Sequence, residues 1–574
     1  MSIGSFVFML HSHLPFYRKA GMWPFGEENL YECMAETYVP LLNAISELYD
    51  EGIKAKLTVG ITPILAEQLN DEHLKHGFVK YLDSRIEKVA KDLERYPNPN
   101  VPHSQHLKYL AKYYFDWFTH IRDCFVNKYG MDLIGNFAKY QKLGCIEITT
   151  SGATHGFSPL LATDSNLNAQ FKVGSDTTKR LFGQKARGAW LPECAYRPAY
   201  KYIDKNGNEQ WRSAIEVTLQ NNDIEYFFTE SHVIEGGVSV GNRRVIGVYG
   251  NIEYIPLPAR AATGCSTYEA YWLPDAQVAV MGRNDRAGYQ VWSAADGYPG
   301  DGCYREFHRK DANSGMQYWR VTSPTTDLGD KMLYDPVLAM SKVNENSDHY
   351  TTLIYHMLND YKKATGENGL VMVSFDTELF GHWWFEGIEF IKQVVKKFAT
   401  YTPEVERMTA AEYLDKYPPK KAISIPESSW GQGGHFWVWQ NQQVEWMWPI
   451  IHGCEHRICD IVSKYEKQPQ DHLLLRALNQ LARENLLLQS SDWPFLITTW
   501  QARDYAKDRF KEHVERFETI ADMIESGHID DNKLKSIEAI DNCFSEIDYR
   551  IYLPIEEGKI PQQEAKLAPL YANK

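Results

Sequence analysis

Seven short apolar runs, each followed by a polar or ionisable residue, constrain this chain more than any other feature. They are Phe6–Leu10 before His11, Ala55–Ile61 before Thr62, Cys145–Thr150 before Ser151 and Ala186–Trp190 before Glu193. Then come Ile224–Thr229 before Glu230, Gln277–Gly282 before Arg283 and Leu370–Phe375 before Asp376. Helical-looking stretches separate most of them. Strands alternating with helices imply a parallel α/β sheet, and polar residues at strand ends imply the active face of a barrel. The count is one short of a regular barrel, so the expected α/β fold is an incomplete (β/α)7 barrel.

A chain of 574 residues is too long for one core. Helical patterns at Leu74–Leu93 and Leu107–Tyr129 mark residues 70–141 as a helical insertion. Ser231–Gln277, rich in Gly, Val and Arg, predicts loops and a hairpin beside the site. Asp285–Tyr334 is a further insertion that carries Trp292. Gln440–Glu466, Asp471–Gln489, Asp492–Ser526 and Asp531–Ile547 all read as helices. The expected division is a catalytic barrel over 1–404 and an all-helical C-terminal domain over 405–574.

The balance of 61 basic against 75 acidic residues, net −14, without a basic run, argues against nucleic acid or an anionic membrane as partner. A neutral substrate fits it better. Nine cysteines lie scattered with no disulfide-like framework, which predicts free thiols in a reducing compartment. The start of the chain has no basic region before its apolar run, and that run stops at His11, unlike a signal peptide. No apolar run approaches the ~18 residues of a membrane span. A cytoplasmic location is expected.

Two strand ends carry a carboxylate among rings and small residues: Trp190-Leu191-Pro192-Glu193-Cys194-Ala195-Tyr196 and Ser374-Phe375-Asp376-Thr377-Glu378-Leu379-Phe380-Gly381-His382-Trp383-Trp384. Carboxylates are rarely buried unpaired. Two of them brought together suit glycosidic-bond chemistry, in which one protonates the leaving oxygen and the other attacks the sugar carbon. The bland alternatives are an ion pair of Glu193 with Arg197 and a helix cap by Asp376. His11-Ser12-His13 projects two imidazoles from one side of a strand. With Asp376 they could hold zinc, as in metal-dependent deacetylase-like hydrolases, or they could hydrogen-bond sugar hydroxyls. His452, Cys454, His456 and Cys459 have metal-like types, but their helical spacing spreads them over more than one face, so a structural role is expected. Trp430 sits in a glycine-rich loop and reads as a sugar platform. Asp492 is either an N-cap or a residue facing the site from the helical domain.

Five motifs in order carry a resemblance: His11–Pro15, Gly144–Thr149, Trp190–Tyr196, Ser374–Trp383 and Trp430–Trp439. With Gln290–Ser293, Gly297–Asp301 and Ser491–Phe495, they make the chain similar to glycoside hydrolase family 57 and, within it, to the 1,4-α-glucan branching enzymes. The resemblance implies the incomplete barrel, Glu193 as nucleophile and Asp376 as acid/base. It implies His11, His13, His155, Arg283, Trp292, Trp430, Trp439 and Asp492 as glucan contacts, α-1,4-glucan chains as donor and acceptor, and neither metal nor other cofactor. Branching enzymes of this family carry a tyrosine on a loop over the site; here His232–Gly247 has none, and the nearest is Tyr249. An α-amylase or 4-α-glucanotransferase is therefore the alternative within the family, and a silent glucan-binding protein a more distant one.

Overall fold

The computed structural model describes residues 2–98, 100–203, 207–237, 260–292 and 297–555, with the backbone of 246–247 and 250–251 in addition. All seven expected strands form: β1 (Gly4–Ser12), β2 (Leu57–Ile61), β3 (Ile146–Ser151), β4 (Gly188–Trp190), β5 (Tyr226–Thr229), β6 (Ala279–Gly282) and β7 (Gly369–Asp376). They run parallel in the order β6-β5-β4-β3-β2-β1-β7. Between β6 and β7 there is no ladder. Single backbone bonds bridge that gap, from Asn284 N to Met372 O and from Leu370 N to Tyr268 O, each 2.8 Å. The strands are continuous apolar runs because both of their faces are covered.

The insertion is built from helices Glu72–Arg95, Ser104–Asp123 and Leu133–Lys142. Its apolar stripe, with Leu74, Phe78, Leu82, Leu110 and Tyr114, joins the main core. Val405–Arg407 adds a short strand to β1, and helix Ala410–Lys416 follows it with a complete Thr409–Glu412 capping box. Helices Met447–Val462, His472–Leu488, Asp492–Thr498, Arg503–Ser526 and Asp531–Glu538 make the C-terminal part. Their shared core includes Phe16, Ile64, Phe157 and Val173 from the barrel, so apolar surface is continuous between the two parts.

Three helices differ from expectation. The predicted Asp492–Ser526 is two helices, broken where Trp500 adopts φ 59°. Residues ahead of Met447 form turns rather than helix, and the helix from Asp531 stops at Glu538. Most of the loop His232–Gly247, and Tyr249, lie outside the described residues. Among the described residues, no helix is long and apolar enough to cross a membrane.

Candidate active site

Glu193 directly follows β4, in the turn Pro192–Cys194. Pro192 fixes the entry to that turn, and Glu193 and Cys194 both adopt left-handed backbone, φ 61° and 53°. Such a conformation costs of order 1–3 kcal/mol outside glycine and persists where surrounding structure enforces it. Here the backbone is pinned by Cys194 N to Leu191 O at 2.8 Å and Trp430 N to Glu193 O at 3.0 Å. The result holds the carboxylate between two donors from the C-terminal half of the chain. Ser491 Oγ donates to Oε1 at 2.7 Å, and the Trp430 indole N–H donates to Oε2 at 2.8 Å. Burial pushes this carboxyl up to about 7, while the two hydrogen bonds pull the other way. Arg197 is occupied elsewhere, with Asp164 and Ser213 O, so the ion-pair alternative for Glu193 falls.

Asp376 ends β7 and lies opposite His11 of β1 in the parallel register, so both project on one side of the sheet. Its side chain caps no helix. Burial pushes its carboxyl up to about 7, against the pull of His13 and Arg283. Two carboxyls near neutral at neutral pH suit one that must donate a proton and one that must ionise to attack.

Three imidazoles cluster beside these carboxyls, with His155 Nδ1 3.7 Å from Glu193 Oε1 and His13 close enough to act on both acids. His13 stacks on His155 with ring centroids 3.8 Å apart, and His11 stacks on Trp190 at 4.8 Å. His11 Nε2 and His155 Nε2 share a hydrogen bond of 3.1 Å, while His155 Nδ1 meets Ser491 Oγ at 2.9 Å. Burial holds His11 and His155 well below the ordinary histidine range, hence neutral. For His13 burial acts in the same direction but is outweighed by Asp492, both of whose oxygens lie 3.1 Å from Nε2, together with Glu193 and Glu378, and the pKa rises. Asp492 is thus a residue facing the site; it also accepts from Ser490 Oγ at 2.6 Å.

Arg283, after β6, pairs with Glu230, after β5, at 2.8 Å, and reaches Ser374 O on β7. Trp430 is half-buried, with its ring 5.0 Å from Trp190 and its N–H committed to Glu193. Trp292 is 43% exposed at the end of helix Asp285–Trp292. Trp439 departs from expectation: it is 1% exposed, stacked on Phe157 at 4.5 Å and covered by Gly431, so it has no face for a glucan. Among the described residues, the one set of three metal-type side chains with donor atoms within 4.8 Å of one another is Glu484, His513 and Asp541, not His11, His13 and Asp376. Arg516 and Arg509 already lie against that set, at 2.7 Å from Asp541 and 3.1 Å from His513, which disfavours a cation. His452 bonds Leu160 O, as a structural residue would.

Sequence reasoning missed three site residues. Ser491 gave no signal beyond its place beside Asp492. Glu230 was visible only as a strand-end acid. Glu378 stands two residues after Asp376, accepts from Tyr38 Oη at 2.5 Å, and is pushed up to about 8 by burial and then by Asp376.

A seven-stranded open barrel with two buried carboxyls at its strand ends defines the molecule as a glycoside-bond-processing α/β enzyme. The chain belongs to glycosyl hydrolase family 57, whose model matches residues 7–426. A second model, described as 1,4-alpha-glucan branching enzyme, C-terminal, matches 450–552. A 1,4-alpha-glucan branching enzyme of Thermococcus kodakarensis is 40% identical over 546 residues, 94% of this chain and 77% of that one. The crystal structure of the branching enzyme from that organism covers 97% of this chain and 98% of its own, at 38% identity and TM-score 0.87. The alpha-amylase AmyC of Thermotoga maritima is similar at 31% identity and TM-score 0.80, over 97% of this chain and all of that one.

Proposed function

We propose that this protein is a retaining 1,4-α-glucan branching enzyme. Glu193 attacks the anomeric carbon of an α-1,4-linked chain while Asp376 protonates the departing oxygen. Asp376 then takes the proton of a glucan 6-hydroxyl as that oxygen displaces Glu193, and the two inversions leave the α-anomer. The observation that supports this most is the pair of buried strand-end carboxyls, each pushed up to about 7, one held by two hydrogen-bond donors. Neutral His11 and His155, with Arg283, His13 and Asp492, line the cleft as candidate contacts for sugar hydroxyls. Trp292, exposed at the end of helix Asp285–Trp292, is the candidate platform for the acceptor chain.

Donor and acceptor are α-1,4-glucan chains, and the location is the cytoplasm. The catalytic unit is 1–404 with its insertion at 70–141, and 405–574 is the helical unit, its first stretch, Val405–Lys416, bound to the barrel. No step requires a metal, so activity is expected to survive EDTA; stoichiometric loss with chelator, restored by zinc, would favour the deacetylase-like alternative instead.

The test is product analysis on amylose. New α-1,6 linkages by NMR with little rise in reducing ends support branching. Rapid release of short linear oligosaccharides without isoamylase-sensitive bonds would place the chain with the amylases. Trp292→Ala is expected to lower transfer more than hydrolysis, because transfer depends on an oriented second chain. Equal losses would mean that the ring holds only the donor.

A further inference from the structure

Ser491 belongs to the helical part, and the chain just before it pairs with the turn after β3 as a single antiparallel bridge, Gly156 with Ser490. Ser491 N donates to His155 O at 3.0 Å, and His155 sits in left-handed backbone, φ 59°. Surrounding structure therefore fixes where the His155 ring lies. Both of its nitrogens are engaged, Nε2 with His11 Nε2 at 3.1 Å and Nδ1 with Ser491 Oγ at 2.9 Å. From Ser491 Oγ the row continues to Glu193 Oε1 at 2.7 Å, while the Trp430 indole, which can only donate, takes Oε2. The hydrogens along this row can be counted. An ionised Glu193 only accepts, so Ser491 gives it the one hydrogen that a hydroxyl has. The Ser491 oxygen is then an acceptor for His155, whose hydrogen must be on Nδ1. Burial holds His155 and His11 neutral, so His155 Nε2 is bare and His11 Nε2 must donate to it. That leaves His11 Nδ1 without a hydrogen. This atom is buried and has no hydrogen-bond partner among the described residues. The opposite polarity would leave an N–H there, and orphaned buried N–H groups are the rarer kind.

We propose that His11 and His155 are positioning residues of a one-way hydrogen-bond relay, His11 Nε2–H to His155, His155 Nδ1–H to Ser491 and Ser491 Oγ–H to Glu193, that holds the nucleophile as a carboxylate. This rests on the reading of Glu193 as nucleophile. Each donor in such a chain is strengthened by the one behind it. The last bond favours the charged form of the carboxyl, so His155 acts on the reaction through Glu193. The groups that face the relay are few. Glu193 faces Ser491, Trp430, Asp492 and His13; His155 faces His13 and His11; and His11 faces His13. His13 itself stands outside the row, its nitrogens going to Thr62 Oγ1 at 3.0 Å and to Asp492 at 3.1 Å. Asp492 favours the protonated form of His13, and a charge there disfavours a second one on either ring of the relay.

Two measurements test it. Nitrogen NMR of the histidine-labelled protein near pH 8, where Glu193 is mostly ionised, reads the tautomers directly, each ring being assigned by its contacts, His11 with Trp190 and His155 with His13. His155 is expected with its hydrogen on Nδ1 and His11 with its hydrogen on Nε2; a hydrogen on Nε2 of His155 overturns the inference. The second measurement is the acid limb of kcat/KM on amylose, where the position of the limb and not the rate is the readout. An asparagine amide falls near the place of Nδ1 and a glutamine amide near that of Nε2. His155→Asn, which keeps a donor for Ser491, should therefore leave the limb in place, and His155→Gln should move it up by about 0.3 units or more, about a twofold loss of activity on the acid side. For His11 the order reverses: His11→Gln keeps the limb and His11→Asn raises it. Equal limbs within each pair would reveal merely structural contacts and overturn the inference. Should the variants fail to fold, the tautomers of the unaltered protein decide alone. Full turnover in Glu193→Gln would overturn the assignment of the nucleophile and this inference with it. An inactive Glu193→Gln beside the opposite tautomers or equal limbs overturns this inference alone.

Discussion

At the scale of single residues, the site sacrifices stability for reactivity. In the folded protein burial pushes Glu193 up to about 7, whereas an exposed glutamate titrates near the ordinary value of 4.5. Between those values the folded state binds more protons than the unfolded state, so stability falls as pH rises through that window. Glu193→Gln removes the titration and the left-behind charge. It should abolish turnover, losing several orders of magnitude, yet unfold with a free energy higher by on the order of 1–3 kcal/mol at pH values above about 7. The gain should vanish near pH 4. Denaturant melts of both proteins at two pH values test this, and a variant less stable at high pH would contradict it. Ser491→Ala makes a kinetic counterpart. With one donor gone, the carboxylate is harder to form, so the acid limb of kcat/KM should move to higher pH and activity below neutrality should fall by roughly tenfold, the scale of a hydrogen bond to a charged group. An unmoved acid limb would mean that Ser491 serves His155 alone.

At the scale of elements, helix Asp164–Phe182 shows how tightly the barrel wall is fitted. Gly174 lies in its middle, where alanine would improve helix propensity by about 1 kcal/mol. A Cβ there would stand 2.2 Å from Ser151 O, a backbone atom of β3 that cannot swing away. Contact wins over propensity, and Gly174→Ala should destabilise by about 2 kcal/mol or more in chemical denaturation; a stabilised variant would show that the helix can slide. The seven strands were legible because each is a β-branched or aromatic run closed by a polar residue, and doubly covered strands carry no other pattern. The long insertion helices were legible for the same kind of reason, a sustained apolar stripe at helical spacing. The break at Trp500 was not, because Thr499-Trp500-Gln501 contains neither Gly nor Pro to announce a left-handed residue. At the site, motif residues that end strands could be read from position alone. Ser491 could not, since its place beside Glu193 comes from a long-range contact, 298 residues away in sequence. Trp439 was misread for the complementary reason: composition reports a ring, and only packing reports whether its face is open.

At the scale of the whole molecule, the helical part completes the site instead of merely flanking it. Ser491 and Asp492 come from it, and each bonds a residue of the barrel cleft, Glu193 and His13. Around them the contact is buried and polar as well as apolar. Glu455 accepts from Ala162 N at 2.7 Å and Thr163 N at 3.2 Å; Asn485 and Gln489 both reach Asn166 Oδ1, at 2.7 and 2.9 Å; Gln170 donates to Gln489 at 2.9 Å. Arg18, from the loop after β1, donates to Ala539 O and Ile540 O at 2.7 and 2.8 Å. Detaching the helices would expose the shared apolar core around Phe157 and Trp439 and strip these groups of partners they cannot replace within the barrel. Domains that share so much of their interior lack the weak interface that permits separate melting. Calorimetry should therefore show one transition, coincident with loss of tryptophan fluorescence and of activity. A long linear maltooligosaccharide bound across the cleft should raise that one transition as a whole. Two resolved transitions, with activity lost at the first, would mean that the helical part leaves while the barrel stays folded, and that the Ser491–Glu193 contact is too weak to couple them.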